Sequence, residues 1–365
     1  MEPQRLRSAH PYHTYEAIQQ QPERIARLLT RQREVLLCAA AEIARRQRIL
    51  LAGIGTSLHA ALASERFLRH LSGGRAWVQV EESFELVHAP LALGPEDAVV
   101  LTSHRGGSGY SVEVLRLAKA AGAFTVAVTG EGGGDAMRSA DLVVTTCEQE
   151  IAMAHTKSYT TALAAHALLA AGVSRCRGWG TGSVAERDIE QLPELVERAL
   201  AAEPAARAAA ARLAPHDRLF FLGAGLQSLT AREAALKVKE TSYIHAEGFS
   251  SEEFLHGPLA ACDDRAAVVA CLDTSPAAHR TTQALLAARA TGAHCLAVVS
   301  AGAAVDARIE PALVVPAAPD WLVLFPHTVA AQLLAYFLAL ERGTNPDTGR
   351  EEQPAHTRAR QQVHC

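Results

Sequence analysis

The residues best suited to chemistry fall in two groups. In the later part of the chain, Glu233-Ala-Ala-Leu-Lys237-Val-Lys239-Glu240 leads through Tyr243-Ile-His245-Ala-Glu247 to Glu252-Glu253-Phe-Leu-His256-Gly-Pro258. On a helix, positions 233, 237 and 240 share one stripe, which sets a lysine between two carboxylates. Such a stripe is either a solvated run of salt bridges or a carboxylate base beside a cation. His256 is either a loop histidine with a structural hydrogen bond or an acid–base group. In the earlier part, Gly53-Ile-Gly55-Thr56-Ser57 and Thr102-Ser103-His104-Arg105-Gly106-Gly107-Ser108-Gly109 each follow an apolar run and precede a helical one. Glycines let the backbone approach a ligand, and hydroxyls, an imidazole and a guanidinium are groups that grip a phosphate or sulfonate. The plain alternative for the first loop is a tight turn with Ser57 as helix N-cap. Leu58 stands three residues after Gly55, so the dinucleotide fingerprint GxGxxG is not met. A third segment, Glu150 to Tyr159 with His155 and Lys157, is either part of the same site or a capped helix start with a solvated cation.

These groups need a scaffold, and the apolar runs predict one. In the first half Ile49 to Ala52, Trp77 to Val80, Val99 to Thr102, Thr125 to Val128 and Leu142 to Thr145 read as strands covered on both faces, because their apolar character is continuous rather than alternating. Leu58 to Leu71, Tyr110 to Ala121 and Thr156 to Ala171 read as helices between and after them. That alternation implies an α/β fold with parallel sheets and right-handed crossovers. Gly53 and Gly223 close matching Gly-x-Gly segments, and Gly122 and Gly292 precede matching apolar runs, each pair separated by 170 residues. Two landmarks at one offset predict a tandem duplication. The expected organisation is an N-terminal extension and helix at 1–46, a first domain at 47–175, a linker and helix at 176–212, a second domain at 213–342 and a tail at 343–365. Single long helices are expected at Pro22 to Arg46 and Ile189 to Arg212, and the tail is either functional or disordered.

Composition narrows the function classes. The 365 residues carry a formal net charge of −4, with 49% hydrophobic and 20% charged residues, as in a soluble globular chain. A binder of nucleic acid would be basic, so no nucleic-acid partner is expected. Apolar runs such as Ala162 to Val173 fall short of the ~20 residues that span a bilayer, and no apolar signal segment opens the chain, so a cytoplasmic protein without a membrane partner is expected. Seven scattered cysteines, Cys38, Cys147, Cys176, Cys262, Cys271, Cys295 and Cys365, include no CxxC pair, which indicates neither a disulfide framework nor a metal site. Only four of the 35 basic side chains are lysines: Lys119, Lys157, Lys237 and Lys239. Arginine replaces lysine on a solvated face but not where a deprotonatable amine is needed, which draws attention to the pair at 237 and 239.

Taken together, Gly55-Thr56-Ser57, the Ser103 loop, Glu150-Ile-Ala-Met-Ala-His-Thr-Lys157, Leu236-Lys-Val-Lys-Glu-Thr-Ser-Tyr-Ile-His-Ala-Glu247 and Leu255-His-Gly-Pro258 resemble the double sugar-isomerase (SIS) domain family. The similarity runs from about Tyr15 to Asp347. It is strongest to the isomerase part of glucosamine-6-phosphate synthase and to its relatives, the amino-sugar-6-phosphate deaminases and fructosamine-6-phosphate deglycases. The resemblance implies two tandem doubly wound parallel-sheet, flavodoxin-like domains and a site for a sugar 6-phosphate. Thr56, Ser57, Ser103, His104, Arg105, Ser108 and His155 are the implied substrate-binding residues. Glu240 is implied to move a proton between C1 and C2, Lys237 to stabilise developing charge, and His256 to assist ring opening, with a dimer partner as one source of that histidine. No metal or organic cofactor is implied, and a homodimer is expected.

Three departures qualify the resemblance. The glutaminase domain of the synthase is not in this sequence, which argues against glutamine-dependent amination. The tail contains no lysine to form an imine with a ketose. The Ser-Gln-Ser-Gly-Glu-Thr loop of the family reads Ser103-His-Arg-Gly-Gly-Ser108 here, and Arg105 adds a positive charge that suits another sugar or a sulfonate. The expected function is a sugar-phosphate isomerase or an amino-sugar-6-phosphate deaminase; the alternatives are a non-catalytic sugar-phosphate sensor and an isomerase of another anionic sugar, such as a sulfosugar.

Overall fold

The computed structural model describes residues 7–309 and 311–363, so residues 1–6, Glu310, His364 and Cys365 lie outside the described residues. Among the described residues, ten strands form two five-stranded parallel sheets. The first contains β1 (Arg48–Gly53), β2 (Trp77–Glu82), β3 (Asp97–Thr102), β4 (Phe124–Thr129) and β5 (Leu142–Thr145), in the order β2-β1-β3-β4-β5. The second contains β6 (Arg218–Gly223), β7 (His245–Ser250), β8 (Ala266–Leu272), β9 (His294–Ser300) and β10 (Pro311–Val315), in the order β10-β9-β8-β6-β7. Read from β7, the second sheet repeats the order of the first, and both have the doubly wound flavodoxin-like arrangement. The strands are apolar on both faces because helices cover both. β3 and β8 are buried along their whole length.

The chain forms two compact units. Among the described residues, one holds Gln21–Glu150 and Lys157–Pro193; the other holds 7–20, Ile151–Thr156, 194–309 and 311–363. In the first unit the helix Lys157–Cys176 is buried from Lys157 through Ser174 and packs against the helices Gln21–Arg31, Arg33–Ala44 and Thr56–Ser72. In the second, Leu324–Glu341 packs against Glu203–Leu213 and Gln227–Ser242. It has the length and apolar composition of a membrane span, with a mean hydropathy of 1.2, and 89% of it is buried within the protein. A helix apolar all round is what a core position requires.

Two helix expectations are corrected, and the tail, for which two readings stood open, has structure. The helix expected from Pro22 to Arg46 is two, Gln21–Arg31 and Arg33–Ala44; Gln32 leaves the helical conformation at the break and its Oε1 accepts a bond from the Thr145 amide at 3.2 Å. The stretch Ile189 to Arg212 is likewise divided among Gly182–Glu190, Leu192–Leu200 and Glu203–Leu213. Short segments can turn to follow a curved core, which sequence periodicity does not register. The tail is ordered as far as it is described. Asp347 is buried and accepts bonds from the amides of His13 and Thr14 at 2.9 and 2.8 Å, its own carbonyl accepts from the Met153 amide at 2.8 Å, and Pro354–Gln361 is helical.

Candidate functional site

The first unit presents its glycine-rich loops where β1 and β3 end. Gly55 has φ 57° and ψ −126°, a conformation open to glycine, and occupies the N-cap position of the helix Thr56–Ser72. Ser57 therefore lies inside the first helical turn, and the simple capping reading of its hydroxyl is not met. A Cβ on Gly53 would come within 2.6 Å of the Ser57 carbonyl, so the loop can close this tightly only on glycine.

The β3 loop is fixed from behind by β4. Ser103 donates its amide to Val128 O at 2.9 Å, its carbonyl accepts from the Thr129 hydroxyl at 2.8 Å, and the His104 carbonyl accepts from the Gly130 amide and from Gln149 Nε2 at 2.9 and 3.0 Å. The His104 ring is buried so close to Gly130 that a Cβ there would lie 2.5 Å from it, and burial lowers its pKa while Glu150 opposes the shift. Gly106 turns the chain at φ 64°. Arg105 is exposed, and Ser108 precedes the helix Gly109–Ala120 as its N-cap residue. Beneath β3, Thr102 Oγ1 lies 2.8 Å from Nε2 of the fully buried His166, whose pKa burial pushes down to about 4.

Lys157 is not a solvated cation. It is 6% exposed, and its Nζ donates to Glu148 at 2.6 Å, while Arg24 donates to the same carboxylate at 2.9 Å. Burial would raise the Glu148 pKa, but the bonds from Lys157 and Arg24 outweigh it and hold the carboxyl down at about 2. Glu150 accepts the Ser158 amide at 2.8 Å, satisfying the start of the helix. His155 lies half-buried in the 151–156 segment, which belongs to the other compact unit. Sequence reasoning missed Glu148, Arg24 and His166, which carry no local motif and are recruited only by packing.

In the second unit, Gln227–Ser242 brings the predicted stripe together. Lys237 Nζ stands 3.3 Å from Glu233 Oε1 and donates to Glu240 Oε2 at 2.6 Å. Glu233 and Lys237 are 2% and 1% exposed, which overturns the solvated salt-bridge reading, whereas the Glu240 side chain keeps 27% of its surface open. Tyr243 ends the helix in the left-handed conformation and accepts the Arg350 amide at 2.9 Å, tying the tail to this helix end.

His256 stands apart from this set. The 227–242 helix runs from the carboxyl end of β6 back to the start of β7, which places Glu240 about 20 Å along it from Gln227, toward the amino edge of the sheet. His256 follows the short helix Ser251–Leu255 after β7, at the carboxyl edge. Its side chain is 74% exposed and contacts Glu252 Oε1 at 3.0 Å, and Arg280 followed by His256 holds the Glu252 carboxyl at about 2. Among the described residues no cluster of three or more His, Cys, Asp or Glu is arranged to hold a metal.

The sequence model of the SIS domain matches residues 42–172 and 212–342. This chain belongs to the SIS domain family. Among curated relatives, this SIS protein is 33% identical over 94% of its length to the glutamine–fructose-6-phosphate aminotransferase [isomerizing] of Thermococcus kodakarensis, covering 58% of that protein. It spans about half the length of the curated relatives it matches. Its fold is similar to the C-terminal domain of glucosamine-fructose-6-phosphate aminotransferase from Francisella tularensis, with a TM-score of 0.83, 24% identity, and coverage of 93% of this chain and 99% of that one. A glucosamine-6-phosphate deaminase from Thermotoga maritima shares the fold with a TM-score of 0.71, 20% identity, and coverage of 92% and 97%.

Proposed function

We propose that the protein binds a sugar 6-phosphate and moves a proton between C1 and C2, acting as an aldose–ketose isomerase or, with loss of ammonia, as an amino-sugar-phosphate deaminase. The observation that carries this reading is the Glu233–Lys237–Glu240 set. A base that takes a proton from one carbon and returns it to the next needs one open side and a fixed orientation. Glu240 is open to solvent and held by Lys237 at 2.6 Å. The lysine charge then steadies the oxygen of an enediolate. Thr56, Ser57, Ser103, His104, Arg105, Ser108 and His155 are the proposed substrate contacts. The separation of Glu240 from His256 within one chain supports a homodimer in which the ring-opening histidine comes from the second copy. The chemistry needs no metal or organic cofactor, and the presence of Glu240, Lys237 and His256 together with the anion loops argues against a sensor without turnover.

A second reading of the anion is favoured by Arg105, which is exposed and has no ion pair among the described residues. Its free positive charge suits a sulfonate or another sugar acid in place of the phosphate monoester.

The test is incubation in deuterium oxide with glucosamine 6-phosphate, galactosamine 6-phosphate, a fructosamine 6-phosphate and fructose 6-phosphate, following proton NMR and ammonia together. Deuterium beside the carbonyl with ammonia identifies a deaminase, and deuterium alone an isomerase. Glu240→Gln is expected to reduce exchange by about a thousandfold while ligand binding persists; unchanged turnover in that variant removes Glu240 from the reaction.

A further inference from the structure

His256 is exposed, but the segment that carries it is fixed. The short helix Ser251–Leu255 sends the fully buried Phe254 into the core of the second unit. Ser251 Oγ donates to the Gly223 carbonyl at 3.1 Å and lies 2.7 Å from Thr281 Oγ1, which ties the short helix both to the end of β6 and to the helix Ala278–Ala290. Glu252 and Arg280 are the chain neighbours of that buried pair, so the packing of the two helices brings them together. Directly after His256, Gly257 turns the chain at φ 146°, a conformation open to glycine.

Arg280 grips Glu252 with two nitrogens, Nε to Oε2 at 2.5 Å and Nη2 to Oε1 at 3.0 Å, while its Nη1 donates to Gln283 Oε1 at 2.9 Å. Oε1 of Glu252 also meets His256 Nε2 at 3.0 Å. A carboxylate held by a bidentate guanidinium is ionised and can only accept, so the proton in the contact with His256 belongs to Nε2. A neutral imidazole carries one proton, which leaves the lone pair on Nδ1. An exposed ion pair contributes little to stability by itself. What this one does is orient a ring and select its tautomer, since the bond made by one ring nitrogen decides the state of the other.

We propose that Glu252, held by Arg280, is a positioning residue that fixes the His256 ring and makes Nδ1 the nitrogen that works in ring opening. The inference rests on the proposed function, which gives His256 that step. Nδ1 takes the proton of the anomeric hydroxyl and returns it to the ring oxygen as the bond between that oxygen and the anomeric carbon breaks. The anomeric C–O becomes a carbonyl and the histidine ends as it began. Between the two transfers the ring is an imidazolium, and the Glu252 carboxylate offsets its charge while Nε2 keeps its own proton. Glu252 and Arg280 touch no reacting atom.

The test uses the full chain labelled with 15N-histidine, the His256 signals being assigned by their loss in His256→Gln. At about pH 8, where an ordinary imidazole is neutral, the ring nitrogen shifts are expected to place the proton on Nε2 in the native protein and to show a mixture of tautomers in Glu252→Gln. A native ring protonated on Nδ1, or a tautomer indifferent to Glu252→Gln, overturns the positioning. Deuterium exchange then separates ring opening from proton transfer, because fructose 6-phosphate is mostly ring-closed whereas 5-deoxyfructose 6-phosphate lacks the hydroxyl that closes the ring. Glu252→Gln is expected to lower kcat for exchange into fructose 6-phosphate about tenfold, with KM little changed, and to leave the 5-deoxy sugar at its native rate. Arg280→Gln is expected to act in the same direction by a smaller factor. A loss shared by both sugars, or no loss with either, overturns the role in ring opening. No exchange into either sugar by the native protein overturns the isomerase reading itself, and the nitrogen shifts then decide alone whether Glu252 positions the ring.

Discussion

Lys237 links a buried carboxylate, Glu233, to a partly open one, Glu240. Removing it leaves Glu233 buried without its cation, and breaking a buried ionic set in this way costs about 3–5 kcal/mol. Lys237→Ala is therefore expected to lower the melting temperature sharply as well as remove activity, which confounds the two effects. Pairing Lys237→Met with Glu233→Gln removes the stranded charge, so the double variant is expected to regain most of the thermal stability while remaining inactive. Recovered activity would show that the lysine acts only in folding. His166 offers a second, separate reading. Its folded pKa of about 4 lies below its ordinary 6.5, so the unfolded chain binds the proton first as pH falls. The stability contribution is complete above 6.5 and declines toward 4, by about 1.4 kcal/mol per pH unit where the difference is full. His166→Gln is expected to flatten the decline in melting temperature between pH 6.5 and 4; an unaltered slope assigns that decline to other groups.

The loops that follow β1 and β3 depend on backbone shape as much as on side chains. At Gly53 the obstacle is the backbone of Ser57 rather than a flexible side chain, so alanine there forces the turn and the first helical residues apart. Gly53→Ala is expected to cost about 1–3 kcal/mol and to raise KM for a phosphorylated substrate, because Thr56 and Ser57 are displaced together. Gly107→Ala is the matched control, since a Cβ at Gly107 meets nothing within 4 Å and no left-handed φ is involved. Equal behaviour of the two variants in melting and KM would mean that the β1 turn does not position the ligand. On the Gln227–Ser242 helix the requirement is different: the stripe must be buried on one side and end at the Tyr243 turn, where the tail closes over Tyr243.

At the scale of the whole molecule, the placement of Glu240 and His256 at opposite edges of one sheet makes assembly part of the proposed chemistry. Two inactive variants, Glu240→Gln and His256→Ala, mixed and refolded together, are expected to recover about a quarter of wild-type activity, because half of the symmetric dimers are mixed and each has one complete site. No recovery would confine both residues to the same chain. Much of this architecture is legible in the sequence. Continuous apolar strands, intervening helices and landmarks repeated at one offset determine two parallel α/β halves, since burial on both faces demands those residue types at those intervals. The helical spacing of Glu233, Lys237 and Glu240 determines that they can meet. Their burial is decided only by the tertiary structure, because whether a helical stripe faces water depends on what packs over it; here Leu324–Glu341 packs against that helix. The same holds for Lys157, whose partners Glu148 and Arg24 are brought near by packing, and for Asp347, which caps the His13–Gln19 helix from the far end of the chain. Local pattern sets the elements and the reach of each side chain, while desolvation and long-range pairing, which give those side chains their chemistry, arise only when the elements close on one another.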